Sequence, residues 1–276
     1  MVRTGFCKAV GIDLKQARIG LHYFEEPCIS GKTGSGTIFF SGCNLRCQFC
    51  QNYKISQEGV GAQISIEELA DKMLELQEMG ANNINLVTGF MYVPQIIESL
   101  KIAKNQGLTI PIVYNSSGYE NINTLKLLEG YVDVYLPDFK YYYDDLAMRL
   151  SQANQYCQIA TDAIKEMIRQ QPCNIFDEQG MLKKGVIIRH LILPNHLQNS
   201  KQVLKTIQKI FGKNVYISVM AQYFPCYKAI EIEDINRKLT EEELKEMEDF
   251  IDRLELRNGF IQSLEDNEEQ YVPDFR

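Results

Sequence analysis

Two hydrophobic rhythms alternate along this chain. Short apolar runs have the length and composition of buried strands: Thr37-Ile-Phe-Phe40, Ile84-Asn-Leu-Val-Thr88, Ile110-Pro-Ile-Val-Tyr114, Val132-Asp-Val-Tyr-Leu136, Val186-Ile-Ile-Arg-His-Leu-Ile-Leu193 and Val215-Tyr-Ile-Ser-Val-Met220. Between them the spacing changes to that of helices. Ile66, Leu69, Met73, Leu76 and Met79 follow the capping box Ser65-Ile-Glu-Glu68 and stop at Gly80. Pro94 suits the first turn of a helix reaching about Gly107, and Asn123 to Leu128 reads as a short helix. Further helices are expected over about 157–171 and 200–211, and a second capping box, Thr240-Glu-Glu-Glu243, opens the last. Pro111 has no N–H to donate, so it belongs at the start of the third strand and not within it.

Six strand-then-helix units in succession imply a parallel sheet joined by right-handed crossovers. An incomplete (β/α)6 barrel over residues 35–262 is the expected architecture, with 1–34 as an N-terminal extension and 263–276 as an acidic tail. An open doubly wound sheet is the alternative. In both, ligands bind at the carboxyl ends of the strands. A length of 276 residues suits either one.

Composition narrows the partners. The net charge is −7, and no long basic block is present, which argues against a nucleic-acid partner. No apolar run approaches the roughly 18 residues of a membrane span, and Met-Val-Arg-Thr-Gly-Phe-Cys7 does not read as a leader. A cytoplasmic protein is therefore expected. There, eight cysteines read as metal ligands or core thiols more readily than as disulfides.

Three of them carry the chemistry. Cys43, Cys47 and Cys50 stand in Ser41-Gly-Cys-Asn-Leu-Arg-Cys-Gln-Phe-Cys-Gln-Asn52, directly after the first strand of the alternating series. Their C-x3-C-x2-C spacing is open to two readings. Three thiolates and a fourth ligand would make a structural zinc site and a zinc-stabilised binding module. Three thiolates without a fourth would leave one iron of a [4Fe–4S] cluster free to take a substrate or cofactor. A thioredoxin-like role for Cys47 and Cys50 leaves Cys43 unexplained. Gly31-Lys-Thr-Gly-Ser-Gly36 imitates part of a phosphate-binding loop, but Glu26 stands where its first glycine belongs and a strand follows instead of a helix.

The stretch Phe40 to Asn52 resembles the cluster loop of radical S-adenosylmethionine (SAM) enzymes, and more closely that of the relatives of the pyruvate formate-lyase activating enzyme. Within these it is most similar to the branch usually called PflX-like. His22-Tyr-Phe-Glu-Glu-Pro-Cys-Ile-Ser-Gly31, Tyr114-Asn-Ser-Ser-Gly-Tyr119, Tyr135-Leu-Pro-Asp-Phe-Lys140, Val186 to Pro194 and Asn258-Gly-Phe-Ile-Gln262 extend the likeness over roughly residues 5–262. The resemblance implies a [4Fe–4S] cluster and SAM as cofactors and Cys43, Cys47 and Cys50 as metal ligands. It implies reductive SAM cleavage to a 5′-deoxyadenosyl radical, and hydrogen abstraction under anaerobic conditions. It also implies a glycyl-radical enzyme or a peptide as partner and reduced flavodoxin or ferredoxin as electron donor. Radical modification of another peptide or of a small molecule is the second reading within the same chemistry.

Position along the chain and the same resemblance together supply expectations for SAM binding. Phe49 would pack beside a cofactor. Thr88 and Gly89 fall where relatives hold the SAM amino group; the run Thr88-Gly-Phe-Met91 has no carboxylate or histidine, so backbone carbonyls would have to serve. Asn115 and Ser116 match an Asp-Thr pair, and Asp138 and Lys140 match an Asp-x-Lys, of which the aspartates hold a cation near the SAM carboxylate; Asn115 in place of Asp puts that cation in doubt. Gln222 and Tyr223 would reach the adenine. Arg189 and His190 lie on opposite faces of one strand, so one of them points into the barrel. Tyr141, Tyr142 and Tyr143 would edge a substrate groove or form plain surface. The branch usually begins with a cysteine-rich segment, of which Thr4-Gly-Phe-Cys7 remains. Cys28, Cys157, Cys173 and Cys226 have no ligand spacing and read as core or surface thiols.

Overall fold

A computed structural model of the chain describes residues 13–262. Cys7, the start of the N-terminal extension and the acidic tail lie outside the described residues. The strands are β1 (Lys15–His22), β2 (Ser35–Phe40), β3 (Ala62–Gln63), β4 (Ile84–Val87), β5 (Ile112–Ser116), β6 (Val134–Pro137), β7 (Ile175–Phe176), β8 (Leu182–Leu191), β9 (Tyr216–Met220) and β10 (Gly259–Ile261). The helices are α1 (Pro27–Ser30), α2 (Tyr53–Ser56), α3 (Ile66–Glu78), α4 (Val93–Asn105), α5 (Ile122–Leu127), α6 (Asp144–Ser151), α7 (Tyr156–Gln170), α8 (Leu197–Phe211) and α9 (Glu241–Leu254).

One sheet runs in the order β10-β9-β8-β6-β5-β4-β2-β1-β3, with β7 added beside β8. The six expected strands, β2, β4, β5, β6, β8 and β9, are parallel neighbours. The two ends of the order do not pair, so the barrel is incomplete as expected. Both expected capping boxes form, at Ser65 and at Thr240. The third strand lies two residues later than expected. Pro111 stays outside it, lending only its carbonyl to Ile84 N–H at 2.9 Å.

Alternation along the strands separates two faces. The outer face, with Ile38, Leu86, Tyr114, Tyr135, Ile188 and Val219, packs under the helices in the main core. The inner face is layered. At its base Val113, Val134, Leu136 and Ile187 pack with Cys28 and Ile29 of α1, so that short helix plugs the barrel floor from within. It is carried there by β1, which runs antiparallel to β2 from Gln16↔Phe40 to His22↔Ser35. Above the floor the inner face turns polar, at Asn85, Asn115, Arg189 and Ser218. The cysteine loop and the strand ends close over this layer.

Candidate active site

The cysteine loop leaves β2 and is tied to its surroundings by backbone bonds. Gly42 N–H donates to Ile55 O (2.9 Å), Arg46 N–H to Ser151 O (2.9 Å) and Gln48 N–H to Leu150 O (2.8 Å). The last two bonds use carbonyls at the carboxyl end of α6, where a helix has acceptors to spare. The Arg46 guanidinium braces the loop from inside through the Cys43 and Leu45 carbonyls, at 2.8 and 3.0 Å. Cys47 is buried; Cys43 and Cys50 are half-buried.

All three thiols line one cavity, together with Phe49, Thr88, Asn115, Ser116, Asp138, Lys140, Arg189 and Gln222. The loop and the carboxyl ends of five strands therefore open on the same space. Burial pushes the three thiols upward, Cys50 to about 12, and the Lys140 ammonium only partly offsets this at Cys47. Among the described residues no three His, Cys, Asp or Glu side chains are grouped to hold a single metal ion. The three thiols share one cavity, as ligands to different irons of one cluster would. They are soft donors that already meet hydrogen-bond partners: Leu45 N–H and Asn44 Oδ1 at Cys43, Ser151 Oγ at Cys47 and Ser56 Oγ at Cys50.

Opposite the loop lies a buried ion network whose form follows from strand register. Asp138 and Arg189 pair as an isolated parallel bridge beyond β6, with Phe139 N–H donating to Arg189 O at 2.7 Å. Their side chains are thus laid side by side on the inner face. Arg189 Nε donates to Asp138 Oδ1 (3.0 Å), and Lys140 Nζ to Asp138 Oδ2 (2.5 Å). Arg189 also donates to Asn115 Oδ1 (2.5 Å) and to Glu25 Oε2 (3.3 Å). Asn85 and Asn115 donate to the other Glu25 oxygen at 3.0 and 3.4 Å. Burial works against the Asp138 charge, but Lys140 and Arg189 hold its carboxyl below the usual range. Burial raises Glu25, against the pull of Arg189. Each Asp138 oxygen already meets a side-chain cation, and this is the expected cation position.

Other expectations fall as follows. Arg189 points inward and His190 outward. His190 is buried, with Nδ1 2.7 Å from Phe139 O, and burial pushes it down to about 4. Thr88 lines the cavity in a left-handed conformation, φ 60°, which is strained for a β-branched residue. Gly89 is placed differently from the expectation. It does not line the cavity; its carbonyl accepts Tyr92 N–H at 2.9 Å, and a Cβ there would lie 2.7 Å from Ile96. The short helical turn that begins at Phe90 takes up that carbonyl and turns the residue into the core. Tyr223 lines the cavity and packs edge-on against Phe49 at 5.9 Å. Gln222 lines the cavity, and its Oε1 is buried with no hydrogen-bond partner. Tyr141 is buried, whereas Tyr142 and Tyr143 are exposed, and none of the three lines the cavity.

Sequence reasoning missed Glu25, Ser56 and Ser151. Glu25 stands inside a quoted stretch but comes from the floor plug, which no hydrophobic rhythm announces. Ser151 ends α6, a helix whose Asp144 and Asp145 at the start and Leu146 and Leu150 at i, i+4 were available signals.

A parallel partial barrel with three loop thiols over its strand ends is the architecture of a radical SAM protein. The family model for the Radical SAM superfamily matches residues 37–176, just over half of the chain, and the chain belongs to that superfamily. Its cofactors are a [4Fe–4S] cluster and SAM. Among curated proteins, an uncharacterized protein of Methanocaldococcus jannaschii is 36% identical over 244 residues, covering 86% of this chain and 66% of the relative. A pyruvate formate-lyase-activating enzyme of Clostridium pasteurianum is 30% identical over 131 residues, covering 45% of this chain and 54% of that enzyme. The chain thus spans somewhat less than two thirds of the first relative's length and about half of the second's. Two solved structures share the fold: a methylornithine synthase (TM-score 0.52, 14% identity, 79% of this chain and 68% of that one) and anSMEcpe with bound AdoMet (TM-score 0.53, 13% identity, 80% and 61%). Among the described residues no helix is long and apolar enough to cross a membrane.

Proposed function

We propose that this chain cleaves SAM reductively and uses the resulting radical to remove hydrogen from a glycine of a partner glycyl-radical enzyme. The observation that carries the reading is the single cavity shared by Cys43, Cys47 and Cys50 and by the carboxyl ends of the strands. When bound, the [4Fe–4S] cluster and SAM supply the one-electron cleavage and the 5′-deoxyadenosyl radical. The chain's own residues bind, orient and shield. Cys43, Cys47 and Cys50 would hold three irons. Lys140 and Arg189, both paired with Asp138, would face the SAM carboxylate across the cavity, with Asn115 and Ser116 beside them. The Thr88 carbonyl would take the SAM ammonium, and Gln222 would stand beside the adenine. Phe49 and Tyr223 form an apolar wall that keeps water from the reacting centre.

The glycyl-radical partner is supported by the likeness to the activating enzyme, and reduced flavodoxin or ferredoxin is the electron source we propose with it. That likeness covers 45% of the chain, which leaves a second reading, radical modification of another peptide or small molecule. The test is electron paramagnetic resonance of the reconstituted, reduced protein with SAM and candidate glycyl-radical enzymes. A glycyl radical on one candidate, dependent on SAM, supports the first reading. SAM turnover with no such signal on any candidate moves the assignment to the second.

A further inference from the structure

Two of the three loop thiols take their hydrogen bond from a serine that is itself backed by a second donor. Ser151 Oγ lies 3.0 Å from Cys47 Sγ and donates to it. Tyr141 Oη lies 2.6 Å from the same Ser151 oxygen. A hydroxyl has one proton, so with Ser151 committed to sulfur, Tyr141 donates to Ser151. Both side chains are fully buried, so no water substitutes for either bond. On the other side of the loop Ser56 Oγ is 3.2 Å from Cys50 Sγ, and Gln57 Nε2 donates to Ser56 Oγ at 3.2 Å. A thiolate can only accept, so Ser56 donates whenever Cys50 is a ligand. Cys43 has the weaker arrangement, a backbone N–H from Leu45 at 3.4 Å.

We propose that Ser151 and Ser56, backed by Tyr141 and Gln57, are positioning residues that raise the reduction potential of the cluster. This rests on the reading of the three cysteines as its ligands. Reduction adds one negative charge, part of which falls on the ligand sulfurs. A donor fixed on a sulfur therefore stabilises the reduced state more than the oxidised one. In a buried site the effect is large, and a second donor behind each serine polarises its O–H further. The two relays come from different elements, α6 and α2, and act on different sulfurs, so their effects are independent.

The test is a potentiometric titration, followed by electron paramagnetic resonance, of the anaerobically reconstituted protein and its variants, each with iron and sulfide counted. Ser151→Ala should weaken reduction about tenfold, a shift of about 59 mV to more negative potential for one electron. Tyr141→Phe keeps the ring and the serine and should shift the potential less, in the same direction. In the Ser151→Ala background Tyr141→Phe should add nothing, because it acts through that serine, whereas Ser56→Ala should add its full effect. Unchanged potentials in variants with full clusters would overturn the proposal, as would an equal Tyr141→Phe shift with and without Ser151. Should Ser151→Ala fail to hold a cluster, Tyr141→Phe decides alone. A wild-type protein that takes up no iron overturns the reading of the cysteines and, with it, this one.

Discussion

Arg189 is the residue on which the inner polar layer turns. Its guanidinium is shared among Asp138, Glu25 and Asn115, and a planar fork with several donors suits that role where an ammonium would not. A second buried carboxylate stands apart from this network. Glu120 is 5% exposed, and burial raises it from 4.5 to about 8, against the Ser116 and Tyr114 hydroxyls. The folded protein thus keeps a proton that the unfolded chain gives up. Its contribution to stability is complete below pH 4.5 and is lost as pH rises to about 8, by at most about 1.4 kcal/mol per pH unit. Glu120→Gln removes this dependence. Thermal melting from pH 5 to 8 should show the variant gaining steadily on the wild type, and parallel curves would contradict the assignment. The cysteines were legible from their spacing, Asp138 only through the family resemblance, and Arg189 as one of two residues on opposite faces of a strand. Glu25 and the serines were not, because a lone glutamate or serine has no spacing to betray it; only the plug and the end of α6 give them a role.

At the scale of elements, the site depends on how closely the loops after β5 and β6 approach. Tyr156 Oη lies within hydrogen-bonding distance of the Ser117 and Asp138 carbonyls, at 2.8 and 2.9 Å. Gly118 permits the contact: it has φ 72°, and a Cβ there would stand 2.0 Å from Asp138 O. Gly118→Ala should therefore push the loop from Asp138, cost more than about 1 kcal/mol and weaken SAM binding, as melting and equilibrium binding would show. A variant as stable and as tight-binding as the wild type would contradict this reading. The six parallel strands were legible because buried strands are apolar throughout and capped helices separate them. Boundaries moved where a proline intervened, as at Pro111. The half-buried strand β1, the floor plug and α6 were not identified. The first two lie before the alternating pattern begins, and α6 is short and half polar, so its two-turn stripe is easily lost.

Across the whole molecule, a parallel sheet left open at its edges puts five strand ends and one loop around a single cavity. The antiparallel β1 then returns a plug to the floor. The fold supplies rigidity below and polar chemistry above, and superfamily membership agrees with both. On the proposed function, the cavity binds and cleaves SAM. The most direct test is 5′-deoxyadenosine released from SAM by the anaerobically reconstituted, reduced protein, beside Cys47→Ala. The account predicts release by the wild type and none by the variant. No product from wild type carrying about four irons per chain, or equal product from Cys47→Ala, would contradict it.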